Sequence, residues 1–308
     1  MALGALSIDL DALRHYRRIH GLPEPVAQGP DPVGTLAVER FGELCARLSA
    51  RGTAFCVGED LAHPAAAAAV RTLAAGGHEI GNHTWSHDYA LTRRDAATVA
   101  SEVRRGAEAV ASACGKRPSG FRAPGYALTS SLLSAAAAEG HRYDSSAFPA
   151  APYWLAKAAV LAALALSGRP SAAILDRPRA LLAPRSPYRP RTDEPYARGG
   201  ASILELPVTT GLLGFPLVGT FVAVLPAAAL RALAAGTGRL PLFNLELHGV
   251  DLLDPGEVPP ELRARRRDLA LPAARKMDRI EAFARSLGRE WVTLDEAADR
   301  LAPGTGAE

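Results

Sequence analysis

Short apolar runs alternate with alanine-rich helical runs through the first half of the chain, and that alternation restricts the fold more than any other feature. Leu3 to Ile8 reads as a strand, and Thr35 to Ala50 carries apolar residues at helical spacing. Thr53 to Val57 reads as a short buried strand, Pro64 to Ala75 as a helix, and Glu79 to Gly81 leads into a histidine-bearing segment. Asp95 to Cys114 reads as a long helix, Gly120 to Arg122 as a strand end and Ser130 to Glu139 as another helix. This rhythm predicts an α/β fold built on a parallel sheet or barrel, since parallel neighbours need crossovers long enough to hold a helix. Reactive side chains in such folds collect at the carboxyl ends of strands. Asp9, Asp11, Arg122 and His248 each follow a strand-like run, and His83 and His87 follow another.

A length of 308 residues suits one α/β barrel without a second domain, and 48% hydrophobic residues supply a sizeable core. The net charge of +3 is too small to indicate nucleic acid, and none is expected as a partner. Cys45, Cys56 and Cys114 are odd in number and lack CxxC spacing, so they read as reduced thiols, for which the cytoplasm is the natural compartment. The N-terminal residues have no basic region and meet acidic residues at once. They read as the first buried strand rather than a secretory leader.

Two stretches interrupt the rhythm. Residues 150–166 are apolar, with Tyr153, Trp154 and a single charge, Lys157, and predict an amphipathic or buried helix too short for a membrane span. Arg169 to Gly200 is rich in Pro and Arg and reads as a long loop. Leu206 to Leu230 holds no charge, but its Pro and Gly residues favour strand–loop–strand over a helix. The expected organisation is one domain over 1–301, interrupted by an insertion at about 150–200, and a flexible tail over 302–308.

The chemistry concentrates in a few short motifs. Asp9 and Asp11 are two residues apart, so on a regular strand they share a face, where two like charges would repel unless a cation lay between them. Alone, such a pair reads more readily as a turn or helix cap. His83 and His87 are four apart and share a face if the segment is helical, a spacing that lets two imidazoles hold one metal ion. Arg122, in Arg122-Ala123-Pro124-Gly125-Tyr126, reads either as a surface arginine or as one that orients a carboxylate. The Pro-Gly turn there would aim backbone amides at a developing oxyanion. His248 follows the apolar run Leu240 to Leu247. A nearby carboxylate, Asp251, would keep it protonated as an acid for an amine leaving group.

In chain order, Ser7-Ile8-Asp9-Leu10-Asp11, His83-Thr84-Trp85-Ser86-His87, Arg122 to Tyr126, Asp144-Ser145-Ser146-Ala147-Phe148-Pro149 and Leu245-Glu246-Leu247-His248 together resemble the motifs of the polysaccharide deacetylase, or NodB-homology, family of carbohydrate esterases. The resemblance spans roughly Leu3 to Leu301. It implies a distorted (β/α) barrel with fewer than eight regular strands, and a divalent ion on Asp11, His83 and His87. Zinc is the default ion, and nickel, cobalt or iron suit the same ligands. Asp9 matches the catalytic base, Arg122 the residue that tethers it and His248 the general acid. Gly125, Tyr126, Trp85 and Asp144 are expected to contact substrate or oxyanion, with Asp251 behind His248. The Asp-x-Asp spacing is similar to a subgroup that includes exopolysaccharide deacetylases and the deformylase of undecaprenyl-linked aminoarabinose.

The resemblance implies removal of an N-acetyl or N-formyl group from an amino sugar. The apolar stretches and the basic residues Arg263, Arg265, Arg266, Arg267, Arg275, Lys276 and Arg279 extend that expectation to a polyprenyl-phosphate-linked sugar at an anionic membrane surface, on the cytoplasmic side. Two alternatives stay open: a cyclic amide or imide hydrolase similar to allantoinase, and a catalytically silent barrel that binds sugar or lipid.

Overall fold

The structure is a computed structural model that describes residues 2–23, 29–169 and 171–302. Most of the tail expected over 302–308 therefore lies outside the described residues. Among the described residues, eight parallel strands form one curled sheet: β1 (Leu3–Leu10), β2 (Thr53–Cys56), β3 (Glu79–Asn82), β4 (Gly120–Phe121), β5 (Tyr143–Asp144), β6 (Leu204–Glu205), β7 (Leu242–His248) and β8 (Glu290–Val292). Their order is β6-β5-β4-β3-β2-β1-β7, and β8 lies against the first half of β1 on the same edge that β2 occupies further along. β1 is buried along its whole length, as a central parallel strand covered on both faces must be.

β4, β5 and β6 are two residues long, so this side of the wall is thin. The ring is completed without a strand pair. Past β6, the Thr209 N–H donates to the Asn244 carbonyl on β7 at 3.1 Å, and the Asn244 N–H donates to Thr209 Oγ1 at 2.8 Å. The result is a distorted (β/α) barrel, as expected.

Helices cover the outside: α1 (Leu13–Ile19), α2 (Val38–Arg47), α3 (Pro64–Ala75), α4 (Ala96–Cys114), α5 (Ser130–Ala138), α6 (Ala151–Leu166), α7 (Gly219–Val224), α8 (Ala227–Ala234), α9 (Pro260–Arg263), α10 (Ala273–Ser286) and α11 (Leu294–Leu301). Their ends follow local chemistry. Asp95 caps α4 by accepting the Thr98 N–H at 2.9 Å, and Gly115 ends it in the left-handed conformation at φ 74°. The main core joins β1 and β7 to α2, with Phe41, Leu44, Phe243 and Leu245 fully buried.

Three expectations need correction. Residues 206–230 do not form strand–loop–strand: they run as irregular chain into α7 and the start of α8, since Pro226 opens a helix over an alanine run. Residues 150–166 do form a helix, α6, yet none of its residues is buried, so it is neither a core helix nor polar on its solvent side. Part of the basic series is not a free surface either, although Arg265, Arg267 and Arg275 are exposed. Lys276 is buried and donates to the carbonyls of Val250 and Leu253, Arg279 donates to Val222 and Leu225, and Arg266 pairs with Asp251 and Asp268. Cys45, Cys56 and Cys114 are all free thiols.

Candidate metal centre and flanking acid and base

Asp9 is the penultimate residue of β1, Arg122 follows β4 and His248 ends β7, so the parallel strands bring them to the carboxyl end of the barrel. Asp9 pairs in register with His248 across the β1–β7 ladder.

The two histidines arrive differently from expectation. Residues 83–87 are a loop past β3, not a helical turn. Two residues in it take left-handed backbone, Thr84 at φ 66° and His87 at φ 55°, at a cost of about 1–2 kcal/mol each. The surroundings hold that strain. Asn82 Oδ1 accepts the Thr84 N–H at 3.0 Å, and Glu102 accepts from both the N–H and hydroxyl of Ser86 at 2.9 and 3.0 Å. Gly106 of α4 makes room: a Cβ there would stand 2.2 Å from Asn82 Oδ1.

This loop carries His83 Nε2 and His87 Nε2 to 3.2 and 3.3 Å from Asp11 Oδ1, and to 3.2 Å from each other. All three residues are buried. His83 Nδ1 donates to the Arg122 carbonyl at 2.7 Å, which leaves the Nε2 lone pair facing the cluster. Asp11 Oδ1 accepts no hydrogen bond. Two imidazole lone pairs and a carboxylate oxygen at such separations repel unless a cation sits among them. The donor set, two nitrogens and one oxygen with an open side, fits a catalytic divalent ion.

Arg122 is fully buried and nearly all its donors are used. Nη1 meets Asp9 Oδ1 at 2.6 Å, Nη2 meets Ser7 Oγ at 3.0 Å and Ser145 Oγ at 2.9 Å, and Nε meets the Ser145 carbonyl at 2.7 Å. The Phe55 ring lies 4.2 Å below the guanidinium carbon. Asp9 is thereby fixed with its second oxygen 3.8 Å from His83 Nε2.

On the other flank, His248 Nδ1 stands 3.0 Å from Glu246 Oε1, and its Nε2 faces the Tyr126 hydroxyl at 3.4 Å. Burial opposes a charge on His248, but Glu246, with Asp11 and Asp9 behind, pushes it up to about 10. Asp251 does not take the expected place beside the ring: it accepts the His248 backbone N–H at 3.0 Å and otherwise serves Thr220 and Arg266. Glu246 was the missed partner, and its signal was present. Two residues apart on a strand, Glu246 and His248 share a face, whereas Asp251 lies past the turn.

The other expected contacts divide. Gly125 and Tyr126 line the cavity over the cluster, although the Tyr126 N–H donates to Ala123 at 3.2 Å and is not free for an oxyanion. Trp85 is outside the cavity, stacked on Arg105 at 4.1 Å and packed against Gly58. Asp144 is buried behind the site, accepting the Ser146 hydroxyl at 2.6 Å, which fixes the loop beside Arg122. No residue of 206–230 lines the cavity. Its volume is about 280 Å³, and its outer wall comes from α1 and α6: Ile19, Tyr153, Ala156, Lys157, Val160 and Leu161.

The polysaccharide deacetylase family model matches residues 29–143, a span that includes His83, His87 and Arg122. No curated protein sequence matches the chain. Among solved structures, a candidate polysaccharide deacetylase from Mycobacterium smegmatis is similar at 17% identity, over 99% of this chain and 93% of its own, with a TM-score of 0.58. A CE4 family pseudoenzyme from Bacillus anthracis is similar at 10% identity, over 97% of this chain and 66% of its own, with a TM-score of 0.50. A mutant of that pseudoenzyme with restored enzymatic activity is similar at 10% identity, over 97% and 68%, with a TM-score of 0.51. The family model supports the polysaccharide deacetylase family, and the structures show its fold.

Proposed function

We propose that this protein is a metal-dependent hydrolase that removes an N-acyl group, acetyl or formyl, from an amino sugar. The observation that carries the proposal is the convergence of Asp11 Oδ1, His83 Nε2 and His87 Nε2 within 3.2–3.3 Å, flanked by an Arg122-tethered Asp9 and a Glu246-paired His248. Such an ion, when bound, supplies Lewis acidity toward the acyl carbonyl and acidifies water.

The chain's own residues do the rest. Asp9, oriented through Arg122, takes a proton from the attacking water as its oxygen bonds to the acyl carbon. His248, held protonated by Glu246, gives its proton to the nitrogen as the C–N bond breaks. Free amine and a carboxylic acid leave. Tyr126, whose hydroxyl faces His248, keeps that ring aimed into the cavity. The joint presence of base, tether and acid supports catalysis over a silent barrel.

The finer reading is a polyprenyl-phosphate-linked amino sugar, met at the cytoplasmic face of a membrane. The apolar wall of the cavity supports it: Ile19, Ala156, Val160 and Leu161 offer contact area to a hydrocarbon carrier and no hydrogen bonds to a second sugar.

The test is acid release from N-acetyl and N-formyl amino sugars, free and polyprenyl-linked, by zinc-loaded protein. Release that is lost on chelation and recovered with zinc is the expected result. Release unaffected by chelation, or none from any N-acyl sugar, would contradict the proposal.

A further inference from the structure

Helix α6 is built inside out. Of its sixteen residues one is charged, and that one, Lys157, turns inward: it lines the cavity and donates to the Gly125 carbonyl at 3.3 Å. Tyr153, Ala156, Val160 and Leu161 line the cavity beside it. The opposite stripe, Leu155, Ala159, Ala162 and Leu166, is exposed and wholly apolar, at the spacing that keeps residues on one helix face. Leu155 is 63% exposed and Leu166 90%. A helix facing water carries its charge on the outside.

The patch continues past the helix. The turn Leu212–Gly214 lies against the start of α6, where Gly214 approaches the Pro149 carbonyl, and Leu213 there is 87% exposed. Apolar surface of this extent, contiguous over one helix and a neighbouring turn, marks a place where something other than water belongs.

The charges around it say what. Arg169 lies three residues past the helix and donates to the His20 carbonyl at 2.9 Å, and Arg265 is exposed. Arg177 and Arg179 are exposed beyond Asp176, whose carbonyl takes the Trp154 indole N–H at 3.0 Å, and the two share one carboxylate, Glu194, at 3.4 and 3.7 Å, which leaves one positive charge in excess. The only charge α6 contributes is the inward lysine, so its outer face carries no acidic group. No helix among the described residues is long and apolar enough to cross a membrane, so α6 would lie on the bilayer rather than in it.

We propose that the outer face of α6, with Leu212 and Leu213, seats in the acyl-chain boundary of an anionic lipid monolayer while the flanking arginines meet its headgroups. The same helix then roofs the cavity, so a lipid-carried substrate passes from the monolayer along α6 to the Asp11 cluster. The use of the cavity rests on the function proposed above; the seating surface does not.

The test is flotation of the full chain with vesicles of phosphatidylcholine alone and of phosphatidylcholine mixed with phosphatidylglycerol, at low and high salt. The wild type floats with the mixed vesicles, less so at high salt. Leu155→Glu and Leu166→Glu each lower that partitioning about tenfold, with zinc binding and thermal unfolding unchanged. A wild type that stays with the aqueous fraction, or variants that float as it does, overturns the proposal. Self-association abolished by these variants, without flotation, also overturns it and assigns the face to a second copy of the chain. Flotation without acyl release contradicts the catalytic reading alone.

Discussion

The imidazole Nδ1 of His248 stands 3.0 Å from Glu246 Oε1, two residues earlier on the same strand, with Glu246 fully buried. Burial opposes a charge on the imidazole, but the carboxylate beside it pushes the ring up to about 10, so it stays protonated. The acid is active in its protonated form, so activity is lost as pH rises through its pKa. Replacing Glu246 by Gln removes the main cause that raises it, and the alkaline limb of the kcat/KM profile moves to lower pH. At fixed pH above that limb the loss is about 10²-fold or more. Zinc affinity is unchanged, and measuring both quantities on one preparation separates a positioning role from a merely structural one.

Arg122 answers to Asp9, Ser7 and Ser145 at once, so its charge and its fork both matter. Arg122→Ala leaves Asp9 buried without its paired guanidinium and costs about 3–5 kcal/mol of stability. Arg122→Lys keeps the charge but loses the planar fork. It stays folded and loses about 10²-fold in kcat, with KM little changed. Chemical denaturation and steady-state kinetics on the two variants check this.

Much of the site was legible because its residues sit in short motifs after strand-like runs, which a parallel barrel gathers at one end, and because the order of those motifs resembles the deacetylase family and implies the roles of Asp9, Asp11, Arg122 and His248. The loop 83–87 was not, because a four-residue spacing looks the same in a helical turn as in a strained loop. Glu246 was overlooked for Asp251 because sequence proximity past the turn was weighed above the two-residue period along the strand. The outward apolar face of α6 was hidden for another reason. In a run of Ala, Leu and Val no polar residue marks the solvent side, so the pattern could not say that its lone lysine points in.

His141 ties pH to stability. It is buried against Phe121, and its Nε2 accepts from Asn82 Nδ2 at 2.9 Å, which also donates to Val103 behind the histidine loop. Burial, helped by Arg117, pushes it down to about 4. With a folded-state value below the ordinary 6.5, the unfolded chain takes up the proton first. Stability is full above pH 6.5 and falls progressively down to about pH 4, by up to about 3 kcal/mol. Thermal unfolding across that range shows the decline, and His141→Gln flattens it.

Ligand removal has a reading independent of turnover. A metal bound only by the folded chain raises its unfolding temperature, equivalent to about 2.7 kcal/mol at one hundred times Kd. Zinc raises the unfolding midpoint of the wild type, and His83→Ala and Asp11→Ala lose that increment. His248→Ala, outside the donor set, keeps it.

The most direct measurement is metal content and acyl release on the same samples of wild type and Asp9→Asn. About one zinc per chain in both proteins, with release only from the wild type, is the predicted result. An Asp9→Asn protein that still hydrolyses the N-acyl bond, or a wild type that folds and turns over without metal, contradicts the account.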